Sequence, residues 1–242
     1  MTAVEVQVCI ATPESVPARA WVELEDSLDP QERERSGRFR MEADRRAFVL
    51  AHGLRRALLA RELGVAPGTL LFSDDGNGRP FLIHPAASQL FFSHSRNRHA
   101  VALAITRCAP VGIDVEFVDA AKADFALLDP FMDLQSSDSA VRDPIEFYRS
   151  WTRVEAFWKA AGVGLASGNP RISSRAIRDS EFEVTAGPAL RALAISLQAR
   201  DLVGTVAVIE PEAQAFEERE LKLVHCDSPF GLLPLSLEAT AP

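Results

Sequence analysis

The residues best equipped for chemistry fall in two short segments, Val111-Gly-Ile-Asp-Val-Glu116 and Trp151-Thr-Arg-Val-Glu-Ala-Phe-Trp-Lys159. The first reads as a β-strand, so Asp114 and Glu116, two residues apart, point to the same face. The second reads as a helix, which puts Glu155 and Lys159, four residues apart, on one face a turn from each other. Three carboxylates offer hard oxygen ligands of the kind Mg²⁺ takes, and Mg²⁺ usually shares its shell with water and a substrate phosphate. The ammonium beside them is a point charge for that phosphate. These residue types point to metal-assisted chemistry on a phosphate or pyrophosphate. Each segment alone also has a plainer reading: Asp-x-Glu is common at strand ends, and a Glu/Lys pair often sits on a solvated helix face.

The elements around these segments follow from periodicity. Residues 4–10 alternate as an opening strand. A long helix is expected from Glu42 to Leu63, with Ala47, Leu50, Ala51, Leu54 and Leu58 as its apolar stripe and Gly64 as its stop. Residues 69–73 and 80–83 flank Asp74-Asp-Gly-Asn-Gly78, a hairpin signal. Strands are expected at 89–93, 100–105 and 112–116. The second half follows the same order: an acidic stretch (119–143), a helix at 144–161, and strands at 171–177, 181–185, 192–197 and 202–209. In that second helix Phe147, Trp151, Val154, Trp158 and Ala161 form a core-facing stripe. Glu155 sits at its rim, where a partly desolvated carboxylate needs a cation. A metal shared with Asp114 and Glu116 would serve, and so would an arginine from the first half.

Composition narrows the classes. A chain of 242 residues with 47% hydrophobic and 25% charged residues can bury a sizeable core. No apolar run reaches the ~20 residues needed to span a bilayer, so no membrane partner is expected. The N-terminus shows no basic segment followed by an apolar one, so no signal peptide is expected. Cys9, Cys108 and Cys226 are odd in number and widely spaced, which suits reduced thiols in the cytoplasm. A formal charge of −8 argues against non-specific nucleic-acid binding. Arginines nevertheless crowd residues 33–61, as a phosphate site would need; most also fit a solvated helix face paired with Glu and Asp.

Gly112-Ile-Asp-Val-Glu116 and Trp151-Thr-x-x-Glu-Ala-x-x-Lys159 resemble the two signature motifs of the 4′-phosphopantetheinyl transferases. Gly78-Arg79-Pro80 is similar to that family's Gly-Lys/Arg-Pro turn, and Phe92-Ser-His-Ser95 to its Ser-His-Ser strand end. The resemblance covers residues 78–162 in order. It implies an α+β fold, a pseudo-dimer of two similar lobes, each a long helix packed on a mainly antiparallel sheet. The boundary falls near Pro110-Val111, giving an N-terminal lobe of 1–110 and a C-terminal lobe of 111–242 with coenzyme A in the cleft between them. Length favours the larger, surfactin-synthetase-activating type, acting as a monomer.

The resemblance further implies transfer of the phosphopantetheine arm of coenzyme A to a serine of an apo acyl or peptidyl carrier protein, with release of 3′,5′-ADP. Asp114, Glu116 and Glu155 would hold Mg²⁺, with Mn²⁺ as an alternative. Arg46 matches a helix arginine at the 3′-phosphate of coenzyme A. Arg79 matches a basic residue at the nucleotide phosphates, and Ser93 and His94 match residues at the nucleotide and its 3′-phosphate. Lys159 matches the lysine on the pyrophosphate, and Glu155 is the candidate to take the serine's proton. A histidine beside a dianion is expected in its charged form. The pattern departs from the family twice: Val154 stands where Lys is common, and Phe91 where Asn is common. An alternative is therefore a catalytically impaired module of the same fold that binds coenzyme A or carrier proteins; an unrelated Mg²⁺-dependent phosphohydrolase is a third. The apolar residues Phe125, Leu127, Leu128, Phe131 and Met132, within 125–134, suit either a carrier-docking patch or a core-facing helix.

Overall fold

The fold is that of a computed structural model, which describes residues 2–86, 89–133, 143–166, 168–178, 180–210, 219–225 and 238–239. Alternation along the strands sorts their side chains between three cores. In β5 (Val101–Thr106) every residue is buried, as happens when both faces of a strand are covered. Val101, Leu103 and Ile105 join a core with the long helix α3 (Glu42–Leu63), whereas Ala102 and Ala104 join a central core. β1 (Thr2–Ala11) divides likewise: Val4, Val6, Val8 and Ile10 go to the central core, Cys9 and Ala11 to the helix side.

Two sheets meet across that central core. The first has the order β11-β1-β5-β4, with β4 at Phe91–Arg96 and β11 at Arg219–His225. The second runs β6-β10-β9-β8-β7, from β6 (Val111–Phe117) through β10 (Leu202–Ile209), β9 (Leu190–Ala199) and β8 (Glu181–Ala186) to β7 (Ser173–Arg178), with β12 (Glu238–Ala239) on β9. Val111, Ile113 and Val115 of β6 and Leu193, Ile195 and Leu197 of β9 face the first sheet. The second sheet's outer face packs on helix α4 (Pro144–Ala161) through Val154, Ala156, Phe157 and Ala160. The layers are thus helix, sheet, sheet, helix. A small hairpin, β2 (Leu71–Asp74) and β3 (Pro80–His84), stands beside them.

The two long helices match the sequence expectation, with Gly64 closing α3 in the left-handed conformation at φ 65°. An isolated parallel bridge joins Met132 to Ile172, and the strands named above pair antiparallel except β1 with β11. That parallel strand brings the C-terminal half back into the first sheet, so the sheets do not divide cleanly at Pro110-Val111. Two short helices went unread in the sequence, α1 (Ala18–Ser27) and α2 (Pro30–Gly37). Both lie on α3, which is why α3 buries Phe48, Arg55, Arg56 and Leu59 as well as its expected stripe.

Of the apolar cluster after β6, Leu128 and Met132 are buried in the α4 core and Phe125 and Phe131 pack against it, leaving Leu127 exposed. It is core-facing, around a short 3₁₀ turn at Phe125–Leu127. Leu134 and Cys226 lie outside the described residues. No helix among those described is long and apolar enough to cross a membrane.

Candidate active site

The site lies at the seam where β4, edge strand of the first sheet, meets β6, edge strand of the second. Because Val111, Ile113 and Val115 turn into the central core, Gly112, Asp114 and Glu116 turn toward α4. Gly112 lets that helix come close: a Cβ there would lie 1.9 Å from the carbonyl oxygen of Ala156 and 2.5 Å from the nitrogen of Ala160. On the adjoining face of α4 are Glu155 and Lys159. Lys159 Nζ consequently donates to Asp114 Oδ1 at 2.6 Å and to the Ile113 carbonyl at 3.3 Å. With three donors on an ammonium, one N–H is left over.

Asp114 is 3% exposed. Its Oδ1 accepts from Ser95 Oγ at 2.8 Å as well as from Lys159, while its Oδ2 is buried without a hydrogen-bond partner. Burial raises the Glu116 carboxyl to about 7, with Asp114 adding to the rise and Lys159 and Asn97 opposing it. Burial also raises Glu155; Lys159 opposes this and Asp114 reinforces it. One ammonium therefore faces three crowded carboxylates, and a buried carboxylate oxygen stands open. That donor set fits a hard divalent cation. Among the described residues no three His, Cys, Asp or Glu side chains converge closely enough to cage an ion by themselves.

A cleft of about 250 Å³ opens beside the carboxylates, lined by Arg79, Ser93, His94, Glu155, Lys159 and Gly162 among others. The β2–β3 hairpin delivers Arg79: its tip docks on the end of α4, where Asn77 Nδ2 donates to the Gly162 carbonyl at 3.1 Å. The Arg79 guanidinium is half-buried and has no salt bridge among the described residues; burial lowers its pKa, and Asp75 opposes this. Ser93 Oγ accepts from the Ile113 amide at 3.2 Å.

A second cleft of about 300 Å³ adjoins the first, sharing His94, Gly78 and Pro80. Arg35, His52, Arg55 and Arg96 line it. His94 Nδ1 is buried without a partner. Its pKa is pushed well below the usual histidine value by burial, then by Arg55, His52, Lys159 and Arg96. The imidazole is therefore neutral in this cation-rich setting, and the charged form expected from the sequence requires a bound anion to offset those cations. Arg55 is held by Glu32, whose carboxylate accepts from Arg55 at 2.7 Å and Arg56 at 2.6 Å and contacts His52 Nδ1 at 2.8 Å.

The seam gathers Asp114, Glu116, Glu155, Lys159, Arg79, Ser93 and His94. Arg46 is not among them. It lines neither cleft, bonds Glu42 at 3.1 Å and lies over the Trp21 ring at 5.5 Å. The face of α3 that reaches the cleft carries Phe48, His52 and Arg55 instead. Sequence reading also missed Ser95, Asn97 and Arg96, although alternation from Phe92 onward puts Ser93, Ser95 and Asn97 on one side and His94 and Arg96 on the other. Val154 is fully buried and Phe91 packs on the central core, so neither departure from the family pattern opens into the clefts.

No family model matches the chain. Curated relatives do. The chain is 31% identical over 151 residues to the 4′-phosphopantetheinyl transferase HetI of Nostoc sp., covering 60% of this chain and 63% of that protein. It is 29% identical over 166 residues to a phosphopantetheinyl transferase of Thraustochytrium sp., covering 62% and 58%. In both, the match spans less than two thirds of the relative's length. The match to 4′-phosphopantetheinyl transferase psf-1 of Bacillus pumilus is broader, 30% identity over 169 residues, 68% of this chain and 71% of that protein. Identity at that breadth, in a chain whose Gly-Ile-Asp-Val-Glu strand and Glu-x-x-x-Lys helix converge on one seam, means that it belongs to the 4′-phosphopantetheinyl transferase family.

Proposed function

We propose that the protein transfers the 4′-phosphopantetheine arm of coenzyme A to a serine of an apo acyl or peptidyl carrier protein and releases 3′,5′-ADP. The observation that carries this is the buried, unpartnered Asp114 Oδ2, whose Oδ1 is held by Lys159, next to a cleft that Lys159 itself lines together with Glu155, Arg79 and His94. Carboxylates for a metal and cations for a polyanion stand side by side.

In this reading the coenzyme A pyrophosphate lies along the first cleft, where the spare N–H of Lys159 and the unpaired Arg79 guanidinium donate to its oxygens. The second cleft takes the nucleotide with its 3′-phosphate, against His94, Arg55 and Arg96. The carrier serine oxygen attacks the β-phosphorus, and the bond from that phosphorus to the bridging oxygen breaks. The serine proton passes to Glu155, a carboxylate that burial makes more basic than usual. Charge appearing on the departing 3′,5′-ADP is met by Lys159 and Arg79. Asp114, Glu116 and Glu155 would hold Mg²⁺ or Mn²⁺, which when bound stabilises negative charge on the phosphoryl oxygens.

Both walls of the cleft come from one chain, Arg79 and His94 from the first half and Glu155 and Lys159 from the second, which supports the larger, two-lobed type acting as a monomer. Release of 3′,5′-ADP that requires both an apo carrier protein and a divalent metal tests the proposal. Release without carrier would make the protein a hydrolase instead.

A further inference from the structure

β4 and β6 border each other without a backbone ladder, each being the edge of its own sheet. What joins them is a row of side chains from one face of β4 and its exit. Ser93 Oγ accepts from the Ile113 amide at 3.2 Å, and Ser95 Oγ donates to Asp114 Oδ1 at 2.8 Å. Asn97 Nδ2 donates to the Val115 carbonyl at 3.0 Å, with Glu116 Oε2 at 3.5 Å. The Asn97 amide cannot swing away, because its Oδ1 accepts from the amides of His99 and Ala100, both at 2.9 Å. Alternate residues of β4 and its exit, Ser93, Ser95 and Asn97, thus stitch the successive residues Ile113, Asp114 and Val115 of β6.

The stitching has a chemical consequence at Asp114. Both of its donors, Ser95 and Lys159, converge on Oδ1, and the oxygen left without a partner is Oδ2. Lys159 alone would not ensure this, since a flexible ammonium can follow either oxygen as the carboxylate rotates. The Ser95 hydroxyl is 6% exposed at the residue level and fixed to a strand, so rotating the carboxylate would break its bond. We infer that Ser95 is a positioning residue that fixes which Asp114 oxygen is offered to the divalent cation, and that Asn97 steadies Glu116 in the same way. This inference rests on the metal-dependent reading of the site given above. Partners behind metal ligands typically contribute about ten- to a hundredfold in metal affinity.

The test is a titration of Mn²⁺ into the full chain holding coenzyme A without carrier protein, with free Mn²⁺ read by electron paramagnetic resonance. Wild type is compared with Ser95→Ala, with Ser95→Cys, whose thiol is only a weak donor, and with Asp114→Asn. Each variant's unfolding midpoint is recorded. Both Ser95 variants are expected to weaken Mn²⁺ binding by about tenfold or more, while transfer at saturating metal recovers to near the wild-type rate. A purely structural role would instead lower the midpoint and the rate and leave metal affinity untouched. Folded Ser95 variants that bind Mn²⁺ within twofold of wild type, while Asp114→Asn loses it, would overturn this inference alone. A wild type that binds no Mn²⁺ would overturn the metal-dependent reading and this inference with it.

Discussion

Replacing Gly112 by alanine tests how the seam is built. The new methyl carbon would stand 1.9 Å from the Ala156 carbonyl oxygen and 2.5 Å from the Ala160 nitrogen. Both are backbone atoms of α4, so no side-chain rotation relieves the clash. The helix must retreat by roughly 1.5 Å to restore ordinary contact near 3.5 Å. Overpacking of this kind costs about 3 kcal/mol, the upper end of the usual range. For a chain of this size that lowers the thermal midpoint by about 6–12 °C. The same movement opens the 2.6 Å contact between Lys159 and Asp114 and draws Glu155 from the strand carboxylates. Misplacement by about 1 Å can cost about a hundredfold in rate. Circular dichroism melting and transfer at saturating coenzyme A measure the two effects, with Gly37→Ala as control, since no atom lies within 4 Å of a Cβ there. A Gly112→Ala protein that melts with the control and retains turnover within threefold of wild type would refute the close-packed seam.

Three further outcomes are expected. The Glu32 carboxyl is lowered to about 2: burial pushes it up, but His52, the Asp29 amide, Arg56 and the charge on His52 outweigh that. The unfolded chain then binds the proton more readily, so this stabilisation is complete above about pH 4.5 and is lost as pH falls toward 2; Glu32→Gln should cost about 3 kcal/mol at pH 7 and flatten the acid limb of the stability curve. Unchanged acid unfolding in urea titrations would count against it. Arg96→Ala should weaken coenzyme A about tenfold or more in calorimetry and leave dephospho-coenzyme A unaffected, because a charge-assisted hydrogen bond to the 3′-phosphate is lost; equal losses for both ligands would put the 3′-phosphate elsewhere. Asp114→Ala and Glu155→Ala should each abolish transfer without unfolding the protein, and wild-type turnover in either would remove that residue from the metal site.

Local pattern made most of the elements legible. α3 ends at Gly64 as its left-handed stop foretold, and the strands expected from Pro80 and from Leu202 begin at those residues. The carboxylate pairing was equally legible, because spacings of two on a strand and four on a helix fix shared faces regardless of tertiary context. What was missed depended on packing between elements. α2 carried its own signal, an Asp29-Pro30-Gln31-Glu32 capping box, yet Glu32 looked like surface charge until Arg55 and Arg56 were seen closing on it. Arg46 and Arg55 are equally plausible phosphate ligands by type, and only the rotation of α3 against β4 shows that Arg55 faces the cleft. β11 went unread because its seven residues gain stability from pairing with β1 at the other end of the chain, a long-range contact that no local window contains.

Intact-protein mass spectrometry of an apo carrier protein reads group transfer itself. After incubation with this protein, coenzyme A and Mg²⁺, the carrier should be heavier by one phosphopantetheine, a gain that EDTA prevents and that Asp114→Ala does not produce. A carrier of unchanged mass, across several acyl and peptidyl carriers and with coenzyme A demonstrably bound, would contradict the proposed transfer.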